Sequence, residues 1–317
     1  MSRPLSPPNN ARIAHGSEAG VLAMVRAVFA APGTPAPEII CGIGDDAAVL
    51  APPTGARYQL ITLDTLVAGT HFHADDAPAR VGWKAMAVNV SDIAAMGGMP
   101  TCALLSLALP AATPQAYLAA LLHGMQRCAA HFGVTVIGGD TVGAAHTTLS
   151  ITMLGTVAPA RVRYRHGAQP GDVMVVTGPL GGSLRSGHHL DFMPRVAEAQ
   201  WLLDNAPPTA MMDVSDGLAL DGTRMAQAGG VTLQLHAAAI PCNAGVSLDA
   251  ALHDGEDFEL LCTIPAACVT AAVCTAFAQQ FQRPLHIIGD VHAGAGQLLL
   301  DGAPVAPRGY EHFAPAT

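Results

Sequence analysis

The sequence has little charge, few aromatic side chains and a single lysine. Only 12% of its 317 residues are charged and 4% are aromatic, whereas half are hydrophobic. A P-loop nucleotide site needs a Gly-Lys pair followed by serine or threonine, and a protein kinase needs a His-Arg-Asp triplet. The one lysine, Lys84, lies between Trp83 and Ala85, and no His-Arg-Asp triplet occurs. Both nucleotide-binding classes are therefore excluded.

Basic surface and paired cysteines are missing as well. The formal net charge is −9, so no basic face for nucleic acid is expected. The seven cysteines are odd in number and form no C-x-x-C pair, which argues against a disulfide framework and against a zinc site. Unpaired thiols are typical of a reducing compartment, so we expect a cytoplasmic protein.

A membrane protein is not expected either. The first residues lead into prolines and asparagines rather than an apolar core, so no signal peptide is predicted. The one uncharged stretch long enough to cross a bilayer, residues 93–122, contains Gly97, Gly98 and three prolines. These residues divide it into a helix end, a strand and a helix start, so we interpret it as buried core.

The length and the hydrophobic pattern predict two domains of mixed strands and helices. A chain of this length suits two domains better than one, and we place them at residues 1–158 and 159–317. Helices are expected over residues 83–96 and 114–132, the second with Thr113 as its N-cap and Gly133 just past its end. Strands are expected at residues 59–63, 102–109, 134–137, 148–157, 173–177, 231–235, 259–264 and 285–288. This alternation indicates α/β or α+β layers.

The most informative feature is a set of aspartates among small residues at the ends of apolar runs. The chain has only 24 acidic residues, and seven of them share this setting: Asp45, Asp46, Asp64, Asp92, Asp140, Asp213 and Asp216. Converging carboxylates repel one another unless cations neutralise them, and hard oxygen ligands suit Mg²⁺ shared with substrate phosphates. Because the aspartates come from both halves of the chain, they predict a magnesium-dependent enzyme that binds a polyphosphate in a cleft between domains.

Taken one at a time, most of these aspartates have an ordinary structural interpretation. Asp64 ends a predicted strand and is typical of a turn, and Asp216 could cap the helix that follows it. Asp92 differs, because it sits inside an apolar helical stretch where an unpaired charge would be costly. The joint occurrence of the seven residues is what favours a metal site.

Two further segments leave alternatives open. His71 and His73 flank Phe72, a pattern more typical of substrate contact or simple exposure than of a transition-metal site. The segment 177–183, with the sequence TGPLGGS, could hold an anion on backbone amides or form a structural turn.

Charged residues near the second half of the chain also have two interpretations. Glu256 could face a ligand, whereas Glu259 is expected on the polar face of its strand. Arg161, Arg163 and Arg165 alternate, so we expect them on one side of a strand, facing nucleotide phosphate or solvent.

Together these motifs resemble those of the thiamine-monophosphate kinase family, in the superfamily of aminoimidazole-ribonucleotide synthetase. The similarity runs nearly end to end, and the segment at residues 64–72 separates this kinase from its superfamily relatives. The matching segments are GIGDDAA at 42–48, DTLVAGTHF at 64–72, KAMAVNVSDIAAMG at 84–97, GGDT at 138–141, DVSDGL at 213–218, GEDFEL at 255–260 and GYEHF at 309–313.

The resemblance implies a fold, a reaction and partners. The fold is the two-domain α/β (α+β) architecture of the superfamily, with an N-terminal mixed sheet that carries helices and dimerises through its strands, and a C-terminal α/β domain. The reaction is ATP-dependent phosphorylation of thiamine monophosphate to thiamine diphosphate with several Mg²⁺ ions. The N-terminal domain binds ATP and Mg²⁺, the C-terminal domain completes the substrate cleft, and the protein is a homodimer with neither a nucleic-acid nor a membrane partner.

The resemblance also implies roles for matched positions. The proposed metal ligands are Asp46, Thr62, Leu63 through its carbonyl, Asp64, Asp92, Asp140, Asp213 and Asp216. The proposed ATP contacts are Gly139, Asp140, Arg165 and Ser215. The proposed substrate contacts are His71, Glu256 and Tyr310.

Two positions depart from the family pattern. The family usually has serine or threonine at the position of Leu63, so a side-chain ligand is lost there. An arginine usually follows the segment matched by Asp140, whereas this chain continues with Thr141, Val142 and Gly143.

The implied reaction brings two phosphates together, and their repulsion would be prohibitive in a dry site without several cations. We therefore expect direct in-line transfer assisted by Mg²⁺. Because the attacking phosphate oxygen is already ionised near neutral pH, no catalytic general base is expected. Two alternatives remain: another ATP-dependent reaction of the superfamily, such as amidine-ring closure, and a thiamine-phosphate or nucleotide binding protein without turnover.

Overall fold

Two β-sheets, each with its own helices, form the described part of the protein. The structure is a computed structural model, and it describes residues 39–41, 45–51 and 56–310. The first sheet has six strands and uses the chain up to residue 157, and the second has seven strands and begins at residue 172. The mixed α/β layers confirm the predicted fold class.

The first sheet has the spatial order β1-β2-β3-β6-β4-β5. Neighbouring strands are antiparallel except for β4 and β5, which are parallel and are joined by a helix. The strands are β1 (Ile39–Cys41), β2 (Ala48–Leu50), β3 (Tyr58–Val67), β4 (Met99–Leu109), β5 (Thr135–Gly143) and β6 (Thr148–Val157).

Two long helices, α1 (Pro78–Ala95) and α2 (Gln115–Phe132), pack closely against each other beside this sheet. Helix α1 is buried on almost every side, which explains its apolar sequence. A Cβ atom on Gly82 would lie only 2.0 Å from the Leu121 carbonyl oxygen, so only glycine permits this close crossing.

The predicted helix ends are partly confirmed. Helix α1 begins at Pro78, five residues before the predicted start, because proline is well placed in a first helical turn. The N-cap of α2 is Pro114 rather than Thr113, and no side chain caps that end. Gly133 does end α2 in the left-handed conformation, with φ 68°.

The second sheet has the spatial order β13-β12-β9-β11-β7-β10-β8. Among the described strands of this sheet, only β12 and β9 pair in parallel. The strands are β7 (Asp172–Val176), β8 (Ala210–Asp213), β9 (Val231–Leu235), β10 (Leu260–Pro265), β11 (His286–Ala293), β12 (Gln297–Leu300) and β13 (Ala303–Pro304). The helices are α3 (Ser183–Ser186), α4 (Val196–Asn205), α5 (Leu218–Gly229), α6 (Leu248–His253) and α7 (Ala271–Phe281).

Four expectations about local geometry are wrong. Asp64 and Asp140 lie within β3 and β5 rather than at strand ends, because both strands continue past the predicted apolar runs. The segment with Arg161, Arg163 and Arg165 is not a strand; Arg161 pairs with Asp204 and Arg163 donates to backbone carbonyls. Glu259 is buried, because Arg195 pairs with it.

Within the described residues, no helix is both long and apolar enough to span a membrane. The stretch at residues 93–122 is divided among the end of α1, strand β4 and the start of α2, as its glycines and prolines predict.

Candidate active site

Three of the predicted aspartates meet beside helix α1, which contacts strands of both sheets. Asp46 precedes β2, Asp92 lies on α1 and Asp213 ends β8. One carboxylate oxygen from each lies within 4.8 Å of the others. The site thus unites aspartates from both halves of the chain, which the sequence predicted.

Burial makes this group electrostatically unfavourable without a cation. Desolvation, with the neighbouring carboxylates adding to it, raises the pKa values of Asp46 and Asp213 to about 7. Desolvation and the charge of Asp64 raise the pKa of Asp92 well above its ordinary value. A divalent ion would remove this repulsion.

Side-chain hydrogen bonds fix the orientation of these acids. The Thr62 hydroxyl donates to Asp92 Oδ2 at 2.5 Å, and the Ser91 hydroxyl donates to Asp213. Asn89 Oδ1 accepts a hydrogen bond from the Asp64 backbone N–H at 3.1 Å. Thr62 and Asp64 therefore face α1 from the strand β3.

Arginine and an unpaired oxygen complete the cluster. Arg165 Nη2 donates to Asp46 Oδ1 at 2.7 Å, and its guanidinium also lies 3.4 Å from Asp45. The other oxygen of Asp46, Oδ2, is buried and has no hydrogen-bond partner among the described residues. A buried carboxylate oxygen without a partner, beside two further carboxylates, fits the all-oxygen ligand set that Mg²⁺ prefers.

The loop after β8 brings Ser215 and Asp216 beside this cluster. The buried carboxylate of Asp221 accepts hydrogen bonds from both their backbone N–H groups, at 3.1 and 2.9 Å. Arg224 forms an ion pair with Asp216. The helix α5 has Gly217 as its N-cap residue without a side-chain cap, so the structure gives Asp216 no capping role.

Asp140 is on the other face of the first sheet. Strand pairing places Asp140 beside Ser106, in one cross-strand row with Ser150 and Thr65. The Thr65 and Ser150 hydroxyls are 2.8 Å apart, which confirms that this row shares a face. Because successive side chains alternate, this face is opposite the one on which Asp64 lies.

Leu63 and Gly139 belong to the same region as Asp140. The Leu63 side chain is 59% exposed and lies in the row next to that of Thr65. Gly139 approaches the neighbouring strand so closely that a Cβ atom would lie 1.8 Å from the Leu105 carbonyl oxygen. The Leu63 and Asp140 side chains therefore lie on the sheet face opposite that of Asp64, whereas Gly139 lies in the cross-strand row of Asp64 itself.

The three predicted substrate contacts lie near each other at one side of the cluster. The rings of His71 and Tyr310 are 6.3 Å apart, and the Tyr310 backbone N–H donates to the Asp216 carbonyl at 3.1 Å. The Glu256 backbone N–H donates to the Ser215 carbonyl at 2.6 Å. His73 is exposed, in agreement with the simpler interpretation of the His-x-His pair.

The glycine-rich segment 177–183 is a structural turn. The Gly181 N–H donates to the buried carboxylate of Asp257, and the Gly182 N–H donates to Asp254 at 2.9 Å. These amides therefore already bind carboxylates of the protein itself.

The sequence interpretation missed three residues that organise the site: Lys84, Asp221 and Arg224. Lys84 was identifiable as the one lysine inside an apolar helix. The i,i+3 spacing of Asp221 and Arg224 is common on ordinary helices, so no local signal marked them. Residues 42–44 and 311–313 of the family-like motifs lie outside the described residues.

Comparison with known proteins gives a consistent result. Residues 44–157 match the family described as AIR synthase related protein, N-terminal domain. The thiamine-monophosphate kinase of Synechococcus elongatus is 37% identical over 258 residues, which cover 70% of this chain and 77% of that protein. The thiamine-monophosphate kinase of Salmonella typhimurium is 34% identical over 310 residues, which cover 87% of this chain and 93% of that protein.

Solved structures show the same similarity. A structure described as AaThiL complexed with AMPPCP and TMP has a TM-score of 0.80 and 29% identity, covering 93% of this chain and 97% of that one. The thiamine-monophosphate kinase of Stenotrophomonas maltophilia has a TM-score of 0.72 and 31% identity, covering 89% of this chain and 96% of that one.

Proposed function

This chain belongs to the thiamine-monophosphate kinase family, and we propose that it phosphorylates thiamine monophosphate to thiamine diphosphate by direct in-line transfer from ATP, assisted by several Mg²⁺ ions. The observation that carries the metal-assisted part is the convergence of Asp46, Asp92 and Asp213. The AMPPCP and TMP bound to a relative of the same fold support ATP and thiamine monophosphate as the two substrates.

The aspartates act by holding metal rather than by moving protons. The proposed ligands are Asp46, Thr62, the Leu63 carbonyl, Asp64, Asp92, Asp140, Asp213 and Asp216. Because Asp140 lies on the opposite face of the first sheet, we assign it to a different ion from the one held by the buried cluster. Mg²⁺ held by these residues would supply positive charge that lowers the repulsion between the phosphates of donor and acceptor. Thr62, Ser91 and Asn89 keep the acids in place through the hydrogen bonds described above.

The remaining residues bind and orient the substrates. We assign Gly139, Asp140, Arg165 and Ser215 to ATP, and His71, Glu256 and Tyr310 to thiamine monophosphate. Arg165 suits a nucleotide phosphate because its buried Nε has no hydrogen-bond partner among the described residues and can still donate. Since the acceptor phosphate is ionised near neutral pH, no residue is assigned as a general base.

The departures from the family pattern fit this proposal in one respect. Leu63 points away from the buried cluster, so a hydroxyl at this position would not reach Asp92. Its assigned contribution is the backbone carbonyl alone. Val142 is likewise exposed, and we assign it no contact.

We also propose that two copies pair through the first sheet. Leu63 and Leu104 lie in one cross-strand row on its open face, and Val136, Ile137 and Val142 on the edge strand β5 are exposed as well. Exposed apolar side chains on a sheet edge are a common interface between subunits.

We assign different functions to the two halves of the chain, each of which contains one sheet. We assign residues 1–158 to ATP and Mg²⁺ binding and to dimerisation, and residues 159–317 to completing the substrate cleft. Among the described residues, the six cysteines other than Cys41 are free thiols, which supports a cytoplasmic location.

A product assay tests the function. Purified protein is incubated with ATP, Mg²⁺ and thiamine monophosphate, ADP release is followed, and the product is identified by mass. We expect thiamine diphosphate, with ADP release that requires thiamine monophosphate. Tight binding without ADP release would indicate a binding protein, and ADP release with another substrate would indicate another reaction of the superfamily; either result contradicts the proposal.

A further inference from the structure

The one lysine of the chain is buried beside the proposed substrate contacts. The Lys84 side chain is fully inaccessible to solvent, in a protein whose other cationic side chains are arginines and histidines. Its ammonium donates to the His71 backbone carbonyl at 2.8 Å and forms an ion pair with Glu256. A long ammonium side chain is rarely buried unless its charge is paired, so this placement demands a reason.

Lys84 joins two segments that are distant in sequence. Glu256 is 172 residues away and belongs to the second half of the chain, whereas His71 follows strand β3 of the first sheet. Both partners are residues that we assign to thiamine monophosphate. The ammonium therefore joins the two segments whose residues we assign to thiamine monophosphate.

The backbone at Glu256 is also held in an uncommon conformation. Its φ is 56°, in the left-handed region that a residue with a Cβ atom rarely adopts. Besides the Lys84 ion pair, the Ser183 hydroxyl donates to the Glu256 carbonyl and the Glu256 N–H donates to Ser215. Such a conformation is strained and persists where surrounding contacts fix it, which occurs mainly at functional sites.

From this arrangement, and resting on the proposed function, we propose that Lys84 is a positioning residue for thiamine monophosphate. Its ammonium holds the Glu256 carboxylate and the His71 loop at a fixed separation, so that the carboxylate can accept a hydrogen bond from the amino group of the aminopyrimidine. Lys84 is covered by its partners and does not itself contact the substrate.

Helix α1 separates this role from metal binding. Lys84 and Asp92 lie on the same helix, about 12 Å apart along its axis at 1.5 Å per residue. One part of the helix thus serves the thiamine end of the cleft, and the other part carries the acids of the metal cluster. A change at Lys84 is therefore expected to weaken substrate binding and to leave metal binding intact.

The single lysine allows a direct spectroscopic test. In full-length protein labelled with [ε-¹³C]lysine, and carrying no lysine-containing tag, Lys84 gives the one lysine signal. We expect this signal to shift when thiamine monophosphate or unphosphorylated thiamine is added without ATP or Mg²⁺, and to stay in place with inorganic phosphate. An unmoved signal at thiamine monophosphate concentrations that saturate the protein would overturn the proposal.

Kinetics test the same role by substitution. We expect Lys84→Met and Glu256→Gln each to raise the KM for thiamine monophosphate at least tenfold, with the Mg²⁺ midpoint within twofold of wild type. Because both substitutions break the same ion pair, the double variant should have a KM within threefold of that of the more impaired single variant. Arg57→Met, which removes an exposed cation that contacts Thr156, is the control expected to behave as wild type.

The outcomes separate this inference from the proposed function. A folded Lys84→Met protein with an unchanged KM, or with losses that multiply in the double variant, contradicts the positioning role while thiamine diphosphate is still formed. A wild-type protein whose ADP release does not depend on thiamine monophosphate contradicts the proposed function instead. If Lys84→Met fails to fold, the lysine signal of the wild-type protein decides.

Discussion

The Ser91 hydroxyl on helix α1 donates a hydrogen bond to the Asp213 carboxylate at the end of β8, and both groups are buried. This bond joins a helix of the first sheet to a strand of the second. It fixes Asp213 toward Asp46 and Asp92, although the three acids repel one another. The fold therefore maintains an arrangement that is electrostatically unfavourable unless a cation neutralises it.

Asp213→Asn should stabilise the protein without metal and abolish its activity. In EDTA at pH 8 the substitution removes one buried charge from a group of carboxylates that repel one another. We therefore expect Tm to rise by several degrees, at about 2–4 °C for each kcal/mol gained in the free energy of unfolding. With saturating Mg²⁺ the wild-type protein should gain about 2.7 kcal/mol at 100 times the Kd, and the variant much less. We expect kcat to fall at least 100-fold.

Asp204→Asn is the matched control for this experiment, because Asp204 is an exposed aspartate paired with Arg161. Thermal unfolding with EDTA and with Mg²⁺, together with ADP release, gives all the required measurements. A lower Tm in EDTA for Asp213→Asn, or a Mg²⁺-dependent gain equal to that of wild type, would contradict the metal assignment.

Asp140→Asn should abolish activity without changing the stability of the protein. Asp140 is exposed on the opposite sheet face, so its substitution should leave Tm in EDTA within about 1 °C of wild type. If Asp140 contacts ATP and metal as proposed, turnover should nevertheless be almost abolished. Wild-type turnover in this variant would remove Asp140 from the site.

Asp257 should make stability depend on pH. Desolvation raises its pKa to about 7, above the ordinary value of 3.8. The folded protein therefore holds this proton over a range in which the unfolded chain has lost it, so stability contributed by the group declines as pH rises from about 4 to about 7. Asp257→Asn should lack this decline. In the wild-type protein the decline in the free energy of unfolding should amount to about 1.4 kcal/mol for each unit of difference between the folded and unfolded pKa values.

Urea unfolding of both proteins at several pH values between 4 and 8 measures the effect. The advantage of Asp257→Asn over wild type should grow as pH rises. Parallel stability curves would show that the carboxyl group at position 257 does not retain its proton in the folded state.

Leu104→Glu should dissociate the proposed dimer into single chains. Leu104 is 39% exposed in the same cross-strand row as Leu63, and a charge there would be desolvated on association. Light scattering should give about twice the chain mass of 32.3 kDa for wild type and the single-chain mass for the variant. Leu122→Glu on helix α2, where the leucine is 38% exposed, is the control and should not change the mass. A monomeric wild-type protein would contradict the proposal.

Much of this architecture was predictable because local sequence determines it. Residues 148–157 alternate and form β6 as expected, and the glycine at position 133 ends α2 in the left-handed conformation. The buried acids were also predictable, since Asp92 inside an apolar helix needs compensation. The end-to-end family resemblance indicated that Asp46 and Asp213 would join it.

Other features depend on contacts between distant residues. The burial of Glu259 follows from Arg195, which lies 64 residues earlier, and the pairing of Lys84 with Glu256 spans even more of the chain. The position of Asp140 on the opposite face depends on the register of β5 against β4, which shifts between Ala103 and Leu104. A one-residue shift reverses the face of every later side chain, and sequence alternation alone does not reveal it.

Anomalous scattering from Mn²⁺ tests the central claim most directly. Crystals containing a non-hydrolysable ATP analogue, thiamine monophosphate and Mn²⁺ in place of Mg²⁺ should show a peak about 2 Å from carboxylate oxygens of Asp46, Asp92 and Asp213. Soaking with EDTA should remove that peak. Full substrate occupancy with no anomalous density between these three residues would contradict the assignment of the buried acids to metal.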